Sequence, residues 1–339
     1  MVHKKLQRRV AADRSQTLRR TFQLAFLLLN VWIGVEFYGF VRYYETGGQM
    51  GWASRPPGVE GWLPIAALMN LKVLLATSEV PQLHPAGMFL LIAFVAISWL
   101  ARKSFCSWLC PVGTVSEYLW RIGRQAFGRN FQLPRWLDLA LRGLKYLLLG
   151  LFASAVASMS VPAIQAFLGG PYGVLDDVKM LNFFRFLSVT GGLAIALLVV
   201  ASIFVQNFWC RYLCPYGALM GLAALASPLR IRRDPAVCID CGKCSTACPS
   251  ALPVAQLVTI RSAECTGCMQ CVVACPAAGA LAMTAPQRRR VPAWVVAAAV
   301  AGLFVGICGY ARWSGHWQTD VPERVYLQWI PRAGEVGQP

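Results

Sequence analysis

Long apolar runs separated by short basic and polar stretches set the rhythm of this chain, and that rhythm predicts membrane-crossing helices. Five runs approach the roughly 20 apolar residues that a helix needs to span the hydrocarbon core. They lie at about 22–44, 85–101, 143–160, 187–209 and 292–311, the second and third being short. A further apolar stretch, 61–80, contains Lys72 and is bounded by Pro64 and Pro81. If it crossed, the basic residues that follow would fall outside the cytoplasm, so an interfacial or re-entrant helix is expected there. Beyond residue 112 the pattern changes. Val115, Tyr118, Leu119, Ile122 and Ala126 recur at helical spacing, with Arg121 and Arg124 between them. This predicts an amphipathic helix on the membrane surface, opened by a capping box of Thr114 and Glu117.

Composition agrees with a membrane protein. Of the 339 residues 57% are hydrophobic and 14% charged, with mean hydropathy +0.50; soluble domains carry about a quarter charged residues. The net charge of +17 would point to nucleic acid in a soluble chain. Here the basic residues gather in three groups instead: Lys4 to Arg20, Arg102 to Arg142, and Arg230 to Arg290. Such grouping retains loops in the cytoplasm, so no nucleic-acid partner is expected. No cleavable signal is expected either, because the first apolar run is too long for one. With five spans, the N-terminus and all three basic groups fall on the cytoplasmic side of a bacterial inner membrane. The C-terminus then falls in the periplasm.

The chain divides accordingly into a basic N-terminus (1–21), a first membrane half (22–112), an amphipathic connector (113–142), a second membrane half (143–229), a cysteine-rich segment (230–291), a final span (292–311) and a tail (312–339). The halves carry an internal repeat. Phe105-Cys106-Ser107-Trp108-Leu109-Cys110-Pro111-Val112-Gly113 matches Trp209-Cys210-Arg211-Tyr212-Leu213-Cys214-Pro215-Tyr216-Gly217. Each copy follows a pair of apolar helices, which predicts two parallel pseudo-repeats with both copies at one membrane depth.

Twelve of the 13 cysteines fall in ordered motifs, and Cys308 stands alone. Cys238, Cys241, Cys244 and Cys248-Pro249 form C-x2-C-x2-C-x3-C-P, and Cys265, Cys268, Cys271 and Cys275-Pro276 repeat it. This is the ligand run of two-cluster bacterial ferredoxins, in which the fourth cysteine of each run serves the other cluster. By that rule one [4Fe–4S] cluster takes Cys238, Cys241, Cys244 and Cys275, and the other takes Cys265, Cys268, Cys271 and Cys248. Zinc fits poorly, since it takes four ligands in separated pairs. Gly242 and Gly267 suit tight turns around the clusters. The fold class expected is an α-helical integral membrane protein with an inserted α+β two-cluster ferredoxin-like domain.

The C-x3-C-P pairs, Cys106/Cys110 and Cys210/Cys214, leave several chemistries open. A spacing of four places two thiols on one helical face, and the proline puts each pair at a helix end. Four such thiols suit a third iron–sulfur centre, a copper or zinc ion, or redox thiol chemistry. The plainer alternative is helix packing by small residues. No C-x-x-C-H is present, which excludes covalent haem. The histidines are His3, His84 and His316, none well inside a span, and no nucleotide-binding fingerprint occurs.

The two C-x3-C-P motifs and the double ferredoxin run resemble the membrane polyferredoxin family of NapH, the quinol dehydrogenase component of periplasmic nitrate reduction. NosR of nitrous-oxide respiration and CcoG of cytochrome oxidase assembly share its core. The resemblance covers about residues 20–285, and Pro57-Gly58-Val59-Glu60-Gly61 and His84-Pro85-Ala86-Gly87 add to it. It implies an electron-transfer protein that oxidises membrane quinol and reduces a partner redox protein. A metal reductase or assembly factor of the CcoG type, acting on cupric ion through the C-x3-C-P thiols, is the alternative; a structural anchor is a third. No counterpart of the NosR flavin domain or of the folded CcoG C-terminal domain is expected in residues 1–339. Quinol oxidation releases protons, and the candidate acceptors are Glu36, Glu60, Glu79, His84, Asp176 and Asp177.

Overall fold

The computed structural model describes residues 13–337; Lys4, Lys5, Arg8 and Arg9 of the first basic group lie outside the described residues. The chain forms two compact units. Unit 1 comprises residues 1–27, 94–149 and 197–303, and unit 2 comprises 28–93, 150–196 and 304–339. The chain passes between them five times, each time within a helix: α1 (Ser15–Glu45), α3 (Pro85–Leu100), α5 (Arg135–Ser158), α9 (Val189–Phe204) and α13 (Ala293–Trp313).

Three of these, α1, α5 and α13, are long and apolar enough to cross a membrane alone. A fourth candidate is α9 taken with α8 (Asp176–Arg185), from which it bends by 82°. By length α3 falls short, reaching roughly 24 Å, and its side chains Met88, Leu91, Ala93 and Ile97 are buried. Large apolar side chains on the long helices face outward: Trp32 is 70% exposed, Leu147 68% and Val305 65%. Soluble proteins seldom expose apolar area on this scale, so the protein is a membrane protein.

Two expectations need adjusting at their edges. Helix α5 starts at Arg135, eight residues before the predicted run, directly after Pro134, with an Arg142–Asp138 pair (2.6 Å) in its first turns. The 61–80 stretch is helix α2 (Pro64–Thr77), roughly 21 Å long. Its Lys72 ammonium donates to the carbonyls of Val156 (3.1 Å), Ala157 (2.8 Å) and Met159 (2.5 Å) at the end of α5. A cation there complements the negative end of the α5 dipole.

In unit 1, α4 (Pro111–Phe127) is the amphipathic helix, but its capping differs from the expectation. The helix begins at Pro111 with Cys110 as N-cap, whose Sγ accepts from Gly113 N (3.4 Å). Thr114 lies one turn in and donates to Cys110 O, while Glu117 is buried and paired with Arg19. An arginine pair outcompetes the weaker reciprocal cap. The apolar positions Val115, Tyr118 and Ile122 face outward, and the small and polar ones pack inward. α10 (Pro215–Leu225) follows the second C-x3-C-P. The cysteine-rich segment is closed by an antiparallel pair, β1 (Arg230–Arg233) and β2 (Leu281–Thr284), with Ile231 opposite Met283. It also carries the short helices α11 (Lys243–Thr246) and α12 (Gln270–Ala274).

Unit 2 contains α6 (Val161–Gly169), α7 (Pro171–Val174) and α14 (Glu323–Trp329). Phe37, Phe40, Val41 and Tyr44 of α1 pack with Val174, Leu175, Val178, Tyr326 and Ile330. The tail is thus part of the core of this unit. Charge divides sharply. Unit 1 holds 24 of the 32 Lys and Arg and six of the 15 Asp and Glu, net +18; unit 2 holds eight and nine, net −1.

Candidate functional site

The two ferredoxin runs fold into matched loops. Each needs left-handed backbone at two places: Asp240 (φ 56°) and Gly242 (φ 72°) in the first, Gly267 (φ 63°) and Met269 (φ 55°) in the second. The glycines were legible as turn positions; Asp240 and Met269 fill the corresponding slots without any sequence signal. An added Cβ at Gly267 would come within 2.9 Å of Ser104 Oγ and 3.0 Å of Ala101 O, so this loop is pressed against the end of α3.

Cys248, Cys265, Cys268 and Cys271 line one cavity, whose remaining wall includes Ile231, Leu252, Val254 and Ile260. Four soft ligands in an apolar shell fit a [4Fe–4S] cluster. Burial pushes the Cys248 thiol up to about 12, with Cys268 and Cys265 adding to it. Cys244 is raised by burial and by Cys275 and Cys238. Cys248 lies with the first three cysteines of the second run, and Cys275 packs near Cys238 of the first. Among the described residues, no three His, Cys, Asp or Glu close up as ligands of a single ion.

The C-x3-C-P pairs do not lie on one α-helical face, as the spacing had implied. Phe105–Leu109 and Trp209–Leu213 are π turns, closed by Cys110 N to Phe105 O (2.9 Å) and Cys214 N to Trp209 O (3.0 Å). The first cysteine sits in the turn and the second caps the next helix, Cys214 Sγ accepting from Gly217 N at 3.2 Å. Single π turns recur at functional sites. All four thiols lie within electrostatic reach of one another, and burial pushes Cys106 up to about 11 and Cys110 up to about 12. Phe94 stacks on Phe105 at 4.0 Å, and Tyr216 meets Phe105 edge-on at 5.9 Å, walling the thiols with aromatic rings.

Buried polar groups strap the ferredoxin loops to this region. Ser107, inside the first C-x3-C-P, donates to Thr266 O (2.6 Å), inside the second ferredoxin run. Arg102 donates to Ala224 O (3.0 Å) and Ser262 O (2.6 Å), Gln16 to Cys268 O (2.8 Å), and Lys145 to both Glu264 oxygens (2.7 and 2.6 Å). Arg19, fully buried, forks onto Glu117 with two 2.6 Å bonds.

Unit 2 holds a second constellation. Arg55 Nη1 pairs with Glu60 (2.7 Å) and its Nη2 with Asp177 (2.7 Å). His84 Nδ1 lies 3.6 Å from Glu60, and Nε2 lies 2.8 Å from Gly173 O and 3.4 Å from Asp176. Thr319 donates to Glu60, and Glu60 accepts from Gly87 N (3.0 Å) at the start of α3. Asn70 of α2 holds the left-handed His84 turn by donating to Leu83 O (2.7 Å) and His84 O (3.0 Å).

Electrostatics follow from three carboxylates around one guanidinium. Burial favours the neutral form of Glu60, but Arg55, His84 and Thr319 more than offset it and hold Glu60 down at about 2. Burial likewise opposes charge on His84, yet Glu60 and Asp176 raise it to about 9. Asp176 goes the other way: burial pushes it up to about 7, with Asp177 adding and His84 and Arg55 opposing.

Of the predicted acceptors, Glu60, His84, Asp176 and Asp177 converge. Glu36 does not; it lies on the exposed face of α1, bonded to Trp32 (3.1 Å) and Ser54 (3.0 Å). Glu79 is exposed as well. The two segments noted for resemblance, 57–61 and 84–87, meet at Glu60. Arg55, Asn70 and Thr319 were not foreseen. The signal for Arg55 was its position as a lone cation in a stretch almost free of Lys and Arg.

Paired cysteine loops around a thiol-lined cavity, on a membrane scaffold, define an iron–sulfur electron-transfer protein. Comparison with known proteins agrees. A 4Fe-4S binding domain family matches twice, at 83–130 and 187–233, and a 4Fe-4S dicluster domain family matches 230–276. The Escherichia coli protein YccM, whose name assigns it to electron transport, is 48% identical over 327 residues, 95% of this chain and 92% of YccM. The regulatory protein NosR of Pseudomonas aeruginosa is 35% identical over 41% of this chain and 19% of its own length. The ferredoxin-type protein NapH of Haemophilus influenzae is 28% identical over 52% of this chain and 58% of its own. No solved structure matches. The chain belongs to the membrane polyferredoxin family that includes YccM, NapH and NosR.

Proposed function

We propose that this chain draws electrons from membrane quinol and passes them, through two [4Fe–4S] clusters, to a partner redox protein. When bound, such clusters supply one-electron carriers. Cys238, Cys241, Cys244 and Cys275 would hold one, and Cys265, Cys268, Cys271 and Cys248 the other. The chain's own contribution is to fix the loops, through Gln16, Ser107 and the hairpin, and to exclude water with an apolar wall. The observation that carries the reading is the cavity lined by three cysteines of one run and the last of the other.

Topology follows the charge. Five crossings with the N-terminus in the cytoplasm would keep all three basic groups inside. The two halves would then be parallel repeats in the inner membrane, consistent with paired π turns and a domain family that matches twice. The Glu60, His84 and Asp176 constellation, in unit 2, would serve proton release.

The four C-x3-C-P thiols are read as a third redox or metal centre. Their shared electrostatic environment supports this, and the Ser107–Thr266 bond ties their turn to a ferredoxin loop. Enclosed thiols with raised pKa values are stabilised as ligands only beside a metal. In a cupric reductase or assembly factor this centre would meet the copper.

The test is anaerobic purification followed by assay of iron, acid-labile sulfide and cluster absorbance on adding quinol. Quinol-dependent bleaching is expected. Clusters that dithionite reduces but quinol leaves oxidised would overturn the donor assignment. Cys106→Ser with Cys210→Ser separates the two functions: loss of copper binding with unchanged quinol oxidation favours the copper reading.

A further inference from the structure

Unit 2 holds an open-sided cavity of about 850 Å³, within the range of about 300–1,000 Å³ typical of small-molecule sites. One wall is apolar and aromatic, with Trp62, Phe167, Phe183 and Met69. The polar lining comes from α8, which presents Asp176, Lys179 and Asn182, and from Glu45 at the end of α1, which is paired with Arg185. A ligand that fits has a flat ring, an extended apolar part and a hydroxyl or carbonyl at one edge.

Asp176 joins this cavity to the ion network. Its side chain is 16% exposed, whereas Glu60, Asp177 and His84 are at 0%, 1% and 2%. Its Oδ1 lies 3.4 Å from His84 Nε2 yet accepts no hydrogen bond among the described residues. The groups behind it are committed elsewhere: Arg55 to Glu60 and Asp177, and His84 Nε2 to Gly173 O. Lys179 is also engaged, donating to Val336 O and lying 5.1 Å from the Tyr172 ring centre. Oδ1 itself is buried against His84, so the part of Asp176 that a ligand hydroxyl would meet is its accessible edge on the cavity wall, and of the network carboxylates Asp176 is the one that lines the cavity.

We propose that this cavity binds the ring of a membrane 1,4-quinol and that Asp176 is the base for the hydroxyl nearest to it. The assignment rests on the quinol reading above. The quinol would give up two electrons, one at a time, to the iron–sulfur carriers. The O–H bond beside Asp176 breaks as its proton passes to the carboxylate, which returns it to solvent. The para hydroxyl, at the far end of the ring, loses its proton to solvent through the open side of the cavity, and the product is the quinone. Glu60, His84, Arg55 and Asp177 are positioning residues, holding Asp176 against the cavity. Burial brings Asp176 to about 7, where a carboxyl can both take and release a proton near neutral pH.

The test uses full-length holoprotein in detergent with decyl-ubiquinone as binding probe and decyl-ubiquinol as donor. Asp176→Asn keeps the shape and removes the base. It should bind the quinone like the parent, slow cluster reduction by the quinol about 100-fold, and abolish the pH dependence near neutrality. Dithionite should still reduce its clusters fully. Gly334→Trp fills the cavity; an added Cβ at Gly334 meets nothing within 4 Å. It should weaken quinone binding about tenfold or more. Iron content and thermal midpoint report folding separately for each variant. Asp176→Asn with the parent rate and pH profile overturns the role of Asp176, and unchanged binding in Gly334→Trp overturns the cavity. A parent that binds quinone in this cavity, but whose clusters quinol never reduces, overturns the quinol-oxidation reading and the base while upholding the site.

Discussion

The two units solve the problem of buried polarity in opposite ways. Unit 1 carries net charge +18 and all 12 motif cysteines, and its polar side chains are spent on carbonyl oxygens and carboxylates that brace the cysteine loops. Unit 2 is nearly neutral and gathers opposite charges into one network, Arg55 and His84 against Glu60, Asp176 and Asp177, with Asp176 at its edge. A thiol-lined pocket is completed by its metal; a buried ion network must be completed by its own members. Unit 1 should therefore fail when metal is lost, and unit 2 when one charge is lost.

The largest effect expected is in unit 1. Cys268→Ser should remove about half the iron and acid-labile sulfide and expose residues 230–291 to proteolysis, because that segment has too little core to hold without its clusters. Cys308→Ser, in unit 2, should leave the iron unchanged. Equal iron loss in both variants would break the comparison.

Next comes Arg55→Met. It leaves Glu60 and Asp177 buried without their cation, at a cost of about 3–5 kcal/mol, read as a lowered thermal midpoint with iron content retained. Lost iron in this variant would show that the units are not separate in stability.

Within unit 1, the two repeats differ in tolerance. A Cβ at Gly113 would lie 2.2 Å from Cys106 O, whereas at Gly217 the nearest atom, Cys210 O, is 3.5 Å away. Gly113→Ala should cost about 1–3 kcal/mol and Gly217→Ala far less, as measured by denaturant unfolding. Equal costs would mean that the first turn relaxes as freely as the second.

The smallest effect expected is on pH dependence. His84 is raised from 6.5 to about 9, so its contribution is present below pH 6.5 and is lost as pH rises through 9. Asp176, raised from 3.8 to about 7, contributes in the same sense, losing stability as pH passes 7. Glu60, lowered from 4.5 to about 2, contributes above pH 4.5 and loses that contribution as pH falls toward 2. In unit 1, Glu117 and Glu264 are both lowered by their cation partners against burial, so their contribution is lost on acidification. Hydrogen exchange between pH 6 and 9.5 should loosen unit 2 first, and His84→Gln should flatten that limb.

Periodicity and spacing by themselves determined much of this protein. Apolar runs located the helices to within a turn or two, and eight cysteines in two identical runs announced iron and sulfide, because cluster ligation demands that local spacing whatever surrounds it. Segments 57–61 and 84–87 were visible as motifs, and Glu60, His84 and Asp176 as candidates. Only the tertiary structure decided that they meet, that Arg55 and Thr319 complete the set, and that Glu36 stands apart. It also decided that the C-x3-C-P spacing is read by a π turn and not by one α-helical face. Local ligand spacing is written in neighbouring residues, whereas partners separated by some 30 to 260 positions are joined only when burial makes an unpaired charge too costly to leave alone.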